Sequence, residues 1–213
     1  STDSAEQRML KTQLLAGGRE LGILQQSPEV WFSSAPSQTL DVGKIEALIA
    51  ARAFDSSADR FADFAALENY IDATSGAVMR LAAQLLGGNP ALVREAARAY
   101  GLTGLLRSLP FHNERHKLYL PLDLLAALHV TPEEFFHLEK GDPRLAATMQ
   151  QISLKARDHF LAARAAPKPG PSLAAILPAS LVPVYLRRLP TGRDVPIHRR
   201  QMALLSAAMK RRL

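Results

Sequence analysis

The chain contains no cysteine in its 213 residues, which excludes disulfides, zinc–thiolate sites and cysteine nucleophiles and fits a reducing compartment. Aromatic residues are scarce at 6%, with a single tryptophan, so little favours a β-sheet core, while abundant Ala, Leu and Arg favour helix. No stretch approaches the roughly 18 consecutive apolar residues of a membrane-spanning helix. No internal repeat and no low-complexity tract is visible, which removes solenoid architectures. Negative charge is nearly missing from the last part of the chain. Residues 187–213 hold eight Lys and Arg side chains against Asp194 alone, so the net charge of +6 originates there. What remains is ordinary: 47% hydrophobic and 22% charged residues, enough for one sizeable helical domain.

Helical periodicity and punctuation divide that domain. Glu6 to Gln25 is a weak helix interrupted by Gly17, Gly18 and Gly22, and Ser27 to Gln38 is a loop packed down by Trp31 and Phe32. Asp41 caps a helix with Ile45, Leu48, Ile49 and Ala53 on its apolar side. A long helix follows from Phe61 to Leu86, then one opened by Pro90 and running to Pro110. Two short helices lie at Leu120–Val130 and Thr131–Glu139, the second starting on Thr131-Pro132-Glu133-Glu134. Asp142 caps a long helix to Ala166, and Leu173 to Leu189, with Pro178 and Pro183 inside, reads as short kinked turns before a final basic helix.

One segment is specific. Ala99 to Pro121, AYGLTGLLRSLPFHNERHKLYLP, follows without a gap the pattern A-x-Q-L-T-N-I-L-R-D-V-x-E-D, a basic stretch and Y-L-P, through Leu102, Thr103, Leu105, Leu106, Arg107, Tyr119, Leu120 and Pro121. Upstream, two weaker matches stand in the same order: Leu48 to Asp55 resembles L-I-x-G-R-x-x-D, with Ala51 at the Gly position, and Tyr70 to Gly76 resembles Y-x-x-x-x-A-G, with Ser75 at the Ala position. On these motifs the chain resembles the squalene/phytoene synthase family over residues 40–213. The resemblance implies an all-α, isoprenoid-synthase-like helical bundle, short of its N-terminal helices, preceded by a segment 1–39 without assignment. It also implies a ligand pocket drawing on Arg52, Asp55, Tyr70, Gly76, Thr103, Arg107, Phe111 and Tyr119.

The departure from the pattern bears on function. Enzymes of the family hold Mg²⁺, and through it the prenyl diphosphate, with carboxylates at the two ends of D-x-x-x-D. Mg²⁺ demands hard oxygen ligands in near-octahedral geometry. Here those ends are Ser108 and His112, the intervening acid is Phe111, and Pro110 is expected to kink the helix that should present them. Asp3 and Glu6 do not rebuild the other acidic motif, so the helix bearing it is absent or unrecognisable. Without metal, the main electrostatic contribution to diphosphate ionisation is lost. Leu106-Arg107-Ser108-Leu109-Pro110-Phe111-His112 resembles instead a branch of the family concerned with respiratory complex I assembly, with L-R-x-x-x-[FY]-H in place of the acids. The expected function is a membrane-peripheral scaffold or assembly factor, with no catalytic residue and no cofactor. The alternative is an active prenyltransferase, using Mg²⁺ and acids supplied by a partner chain.

Other features have competing readings. His112 and His116 stand at a metal-chelating spacing, yet no third ligand is near, and they read as polar residues at a helix end. His129, His137 and His159 read as surface or helix-end residues. Arg107 is either a remnant anion site or, preferably, an internal ion-pair partner of Glu68, Asp72 or Asp55. The basic tail 187–213 has no aromatic interleaving and no nucleic-acid motif; an anionic membrane or acidic partner surface suits it better. Expected partners are therefore a protein in respiratory-complex assembly, an anionic membrane surface and an isoprenoid or lipid ligand, and not nucleic acid. The expected location is the bacterial cytoplasm or the mitochondrial matrix, at the inner membrane.

Overall fold

The computed structural model describes residues 42–139 and 141–213; the weak helix, the Trp31–Phe32 loop and Asp3 and Glu6 lie outside them. Every regular element among the described residues is helical. They are α1 (Val42–Arg52), α2 (Phe64–Ala73), α3 (Ser75–Leu85), α4 (Arg94–Arg107), α5 (Leu109–Glu114), α6 (Leu122–Ala127), α7 (Pro132–Phe135), α8 (Pro143–Ala165), α9 (Leu173–Ile176), α10 (Val182–Arg188) and α11 (Ile197–Lys210), with five single 3₁₀ turns between them.

The caps explain where several elements begin. Asp63 accepts the Ala66 amide at 2.7 Å to start α2, and Asp142 accepts the Arg144 amide at 2.8 Å to start α8. At α7, Thr131 and Glu134 form a reciprocal capping box. Proline sets the later turns: Pro178 and Pro183 each stand in the first turn of a new helical piece, where a missing N–H costs no hydrogen bond.

Two expected helices are cut. The stretch 61–86 is α2 and α3, broken at Thr74, whose backbone departs from helix (ψ −95°) while its hydroxyl donates to the Tyr70 carbonyl at 2.7 Å. The helix from Pro90 begins as a 3₁₀ turn over Pro90–Val93 and ends at Arg107; Pro110 opens α5 in its first turn and does not bend a longer helix. The expected apolar side of α1 is only partly realised, because Ile49 is exposed.

Helix α4 lies at the centre, packed on α8 for much of its length and on α2, α3 and α10. It buries Ala96, Ala97, Ala99, Leu102, Thr103 and Leu106 on more than one side, the pattern of an interior helix. Leu67, Ile71, Leu102, Leu106, Phe135 and Ile152 build the larger core, and Met79, Ala83, Val93 and Ile176 a second one against the proline-rich turns. The loop after α5 is tied to the loop before α2: the amides of Leu122 and Asp123 donate to the carbonyls of Phe61 and Ala62 at 2.9 and 3.0 Å. That tie brings Tyr119 to α2.

Candidate functional site around Asp55

The centre of the site is a carboxylate enclosed by rings. Asp55 sits in the 3₁₀ turn Ala53–Ser56 that follows α1. Its Oδ1 accepts the hydroxyls of Tyr70, from α2, and of Tyr119, from the loop after α5, the latter at 2.8 Å. Its Oδ2 faces Arg52 Nη1 at 3.2 Å, and the same guanidinium nitrogen donates to the Tyr70 hydroxyl at 3.2 Å. Lys117 closes the turn by donating to the carbonyls of Phe54 and Ser57, both at 2.6 Å, with its ammonium 4.3 Å above the Phe54 ring. Phe54 stacks on Phe61 at 4.2 Å between centroids, Tyr70 lies tilted 5.4 Å from Phe54, and the His112 ring lies 4.5 Å from that of Tyr119.

The protonation chemistry follows. Burial works against ionisation of Asp55, but the hydrogen bonds from Tyr70 and Tyr119 and the Arg52 pair together hold its carboxyl below the usual carboxylate range. Burial, then the Asp55 bond, pushes Tyr119 up to about 12 and raises Tyr70 further, so both phenols are donors at neutral pH. Burial also pulls His112 below its ordinary value, with Asp55 opposing and Arg115 assisting. Both Asp55 and His112 favour the deprotonated form in the fold, so each stabilises above its unfolded value and loses that contribution as pH falls through its lower folded value. Stability should decline first below about pH 6.5 through His112 and again below about pH 4 through Asp55. Asp55→Asn is expected to flatten the lower segment of a plot of melting temperature against pH. An unchanged slope there would refute the role given to Asp55.

The residues expected to line a pocket divide. Arg52, Asp55, Tyr70 and Tyr119 are brought together. Gly76 and Thr103 belong to packing: a Cβ on Gly76 would lie 3.1 Å from the Ile71 carbonyl oxygen, and the Thr103 hydroxyl donates to the Ala99 carbonyl at 2.7 Å. Phe111 is exposed, with the Arg115 guanidinium 4.0 Å from its ring centre. His112 and His116 diverge: His112 turns to Tyr119, while His116, past the end of α5 at φ 51°, lies against Phe136.

Arg107 is not the internal partner expected for Glu68, Asp72 or Asp55. It is exposed, with its guanidinium carbon 3.8 Å from the centre of the Tyr185 ring and its Nη2 3.5 Å from Asp194. Glu68 and Asp72 belong to Arg98, a residue the motif reading passed over. Its Nη2 reaches Asp72 at 2.7 Å, and its Nη1 makes a short contact with Glu68. His159 is also no surface residue: it lies mid-α8 with its ring nitrogens 2.6 Å from Glu95 and 3.1 Å from Glu68. Arg94 and Arg98 are four apart, as are Glu68 and Asp72; that complementary spacing was the available signal.

Mg²⁺ does not fit the residues at its motif positions. Ser108 ends α4 and accepts the His112 amide at 2.9 Å through its carbonyl, so the two positions still stand one turn apart. They offer a hydroxyl and an imidazole engaged with Tyr119, and the nearby Asp55 has both oxygens occupied by protein donors.

The model of the family described as squalene/phytoene synthase matches residues 29–206. The human protein named NADH dehydrogenase (ubiquinone) complex I, assembly factor 6 is 32% identical over 124 residues, covering 56% of this chain and 36% of that one. Its mouse counterpart is 28% identical over 125 residues, covering 57% and 35%. The aligned part therefore spans about a third of those curated relatives. A crystal structure of a dehydrosqualene synthase in complex with ligand superposes with a TM-score of 0.62 at 17% identity, over 98% of this chain and 78% of that one. The all-α architecture is thus the helical fold of isoprenoid synthases.

Proposed function

The chain belongs to the squalene/phytoene synthase family, and from that premise we propose that it no longer performs metal-dependent prenyl-diphosphate chemistry and serves in the assembly of a respiratory NADH dehydrogenase complex. The observation that carries this reading is the donor set at Ser108 and His112, where a hydroxyl and an imidazole tilted against the Tyr119 ring stand in place of two carboxylates. Similarity to the assembly factors supports it. The Asp55 cluster then holds α1, α2 and the loop after α5 in register, with no substrate proton to move.

In this reading the protein works at the face of a membrane, in the bacterial cytoplasm or the mitochondrial matrix. No helix among the described residues is long and apolar enough to cross a bilayer. The cationic stretch 187–213 supplies attraction to an anionic surface. In this reading the ligand is an isoprenoid or other lipid chain, because loss of metal ligands does not require loss of an apolar pocket.

Incubation with farnesyl or geranylgeranyl diphosphate, Mg²⁺ and NADPH should yield no condensed product, with or without Ser108→Asp/His112→Asp. Product that disappears on adding EDTA would overturn the proposal and restore the prenyltransferase alternative. Deletion in the source cell should lower the assembled dehydrogenase on native gels; an unchanged level would remove the assembly role.

A further inference from the structure

Helix α11 has two opposed apolar sides, and only one is used. Ala203 and Leu204 pack on the cluster of Leu181, Tyr185 and Val195, and Ala207 is buried beside them along the helix. On the other side Met202, Leu205 and Met209 follow at intervals of three and four residues, exposed by 63%, 54% and 76%. At about 100° per residue they fall within an arc of about 60° opposite the docked side. His198 stands on the same arc.

The charge beside this ridge is all of one sign. Arg199 and Lys210 flank it on one side, Arg211 and Arg212 follow the helix, and α11 contains no acid. The acidic side chain nearest to α11 in sequence, Asp194, is shared at long range between Arg107 and Arg200, at 3.5 and 3.8 Å. A second copy of the same ridge would bring cations against cations. The complement must be negative at its edges and apolar beneath. A convex helix face also needs a surface that yields to it, which a fluid bilayer does and a rigid protein groove must be shaped to do.

We propose that the outward ridge Met202–Leu205–Met209 of α11 inserts into the headgroup–acyl boundary of an anionic membrane, with Arg199 and Lys210 extending to lipid phosphates. Their long stems let the charged ends stay in the headgroup layer while the apolar ridge sinks. The proposal rests on the membrane-peripheral reading above and goes further, since that reading requires only surface adsorption of the basic stretch.

The two are separated by vesicle flotation with the full chain, on phosphatidylglycerol-containing and on pure phosphatidylcholine vesicles. Wild type should float with the anionic vesicles and not with the neutral ones. Met202→Gln/Leu205→Gln/Met209→Gln, all at exposed positions, should keep the wild-type melting temperature and lose at least tenfold in partitioning. Because the chain has no cysteine, Leu205→Cys carries one environment-sensitive dye, whose emission should shift to the blue on anionic vesicles. A triple variant that floats like wild type, together with an unshifted dye, would overturn insertion and leave salt-sensitive adsorption standing. Wild type that ignores anionic vesicles would overturn both. A triple variant that turns a wild-type dimer into a monomer in light scattering would assign the ridge to self-association instead.

Discussion

Arg98→Met is expected to lower the melting temperature by about 6 to 12 °C. The Arg98 side chain is only 9% exposed, and it ties α4 to α2: Nε and Nη2 fork onto Asp72 at 3.1 and 2.7 Å, and Nη1 meets Glu68. Methionine conserves much of the stem but leaves Glu68 and Asp72 on α2 facing each other without their common partner. Stripping one member from a buried ion pair costs about 3 to 5 kcal/mol. The carboxylates keep 16% and 21% exposure, and Arg94 stands 3.6 Å from Asp72, so the lower end, about 3 kcal/mol, applies. At about 2 to 4 °C per kcal/mol for a domain of this size, the stated range follows. The triple change Arg98→Met/Glu68→Gln/Asp72→Asn should recover at least half the loss, because it removes the stranded charges as well. A melting temperature for Arg98→Met within about 2 °C of wild type would mean that the cluster carries no net stability.

That cluster also marks the limit of what could be read from residues alone. Arg52, Asp55, Tyr70 and Tyr119 were legible as pocket candidates, alongside Gly76, Thr103, Arg107 and Phe111, because each sits in a motif; that the four meet at one carboxylate was not. Arg98 and His159 sit in helices where an isolated charged residue ordinarily faces water, so nothing local marks them as interior. Their partners come from helices up to 91 residues away. Asp194 as the partner of Arg107 is equally non-local, 87 residues distant, and the expected partners Glu68 and Asp72 were already committed to Arg98. The same contrast holds for the fold. Starts of α7 and α8 were legible from Thr131 and Asp142, whose side chains act within three residues. The break at Thr74 was not, because apolar periodicity continues across it and the departure depends on how α2 and α3 each meet α4.

The second large effect separates two glycines that look alike in the sequence. Gly88 follows α3 where the chain passes directly over Ser172, the last residue of the 3₁₀ turn Gly170–Ser172. A Cβ there would lie 2.6 Å from the Ser172 amide nitrogen and 2.9 Å from its Cα, with the hydroxyl closer still. Backbone cannot step aside as a side-chain tip can, and Ser172 is fully buried with its hydroxyl donating to the Asn89 carbonyl at 3.2 Å. Gly88→Ala must therefore part α3 from the proline-rich turns, loosening the contact of Met79 and Ala83 with Ala175 and Ile176. Overpacking of this kind costs about 1 to 3 kcal/mol and more where backbone must move, so a fall of about 6 to 10 °C is expected. Gly104 lies inside α4, and a Cβ there meets nothing within 4 Å. Gly104→Ala should raise stability by about 0.5 to 1 kcal/mol through helix propensity alone. Thermal denaturation of the two variants side by side tests the packing of the closing turns directly: the shifts must differ in sign, and a Gly88→Ala protein as stable as wild type would show that Ser172 does not hold that position.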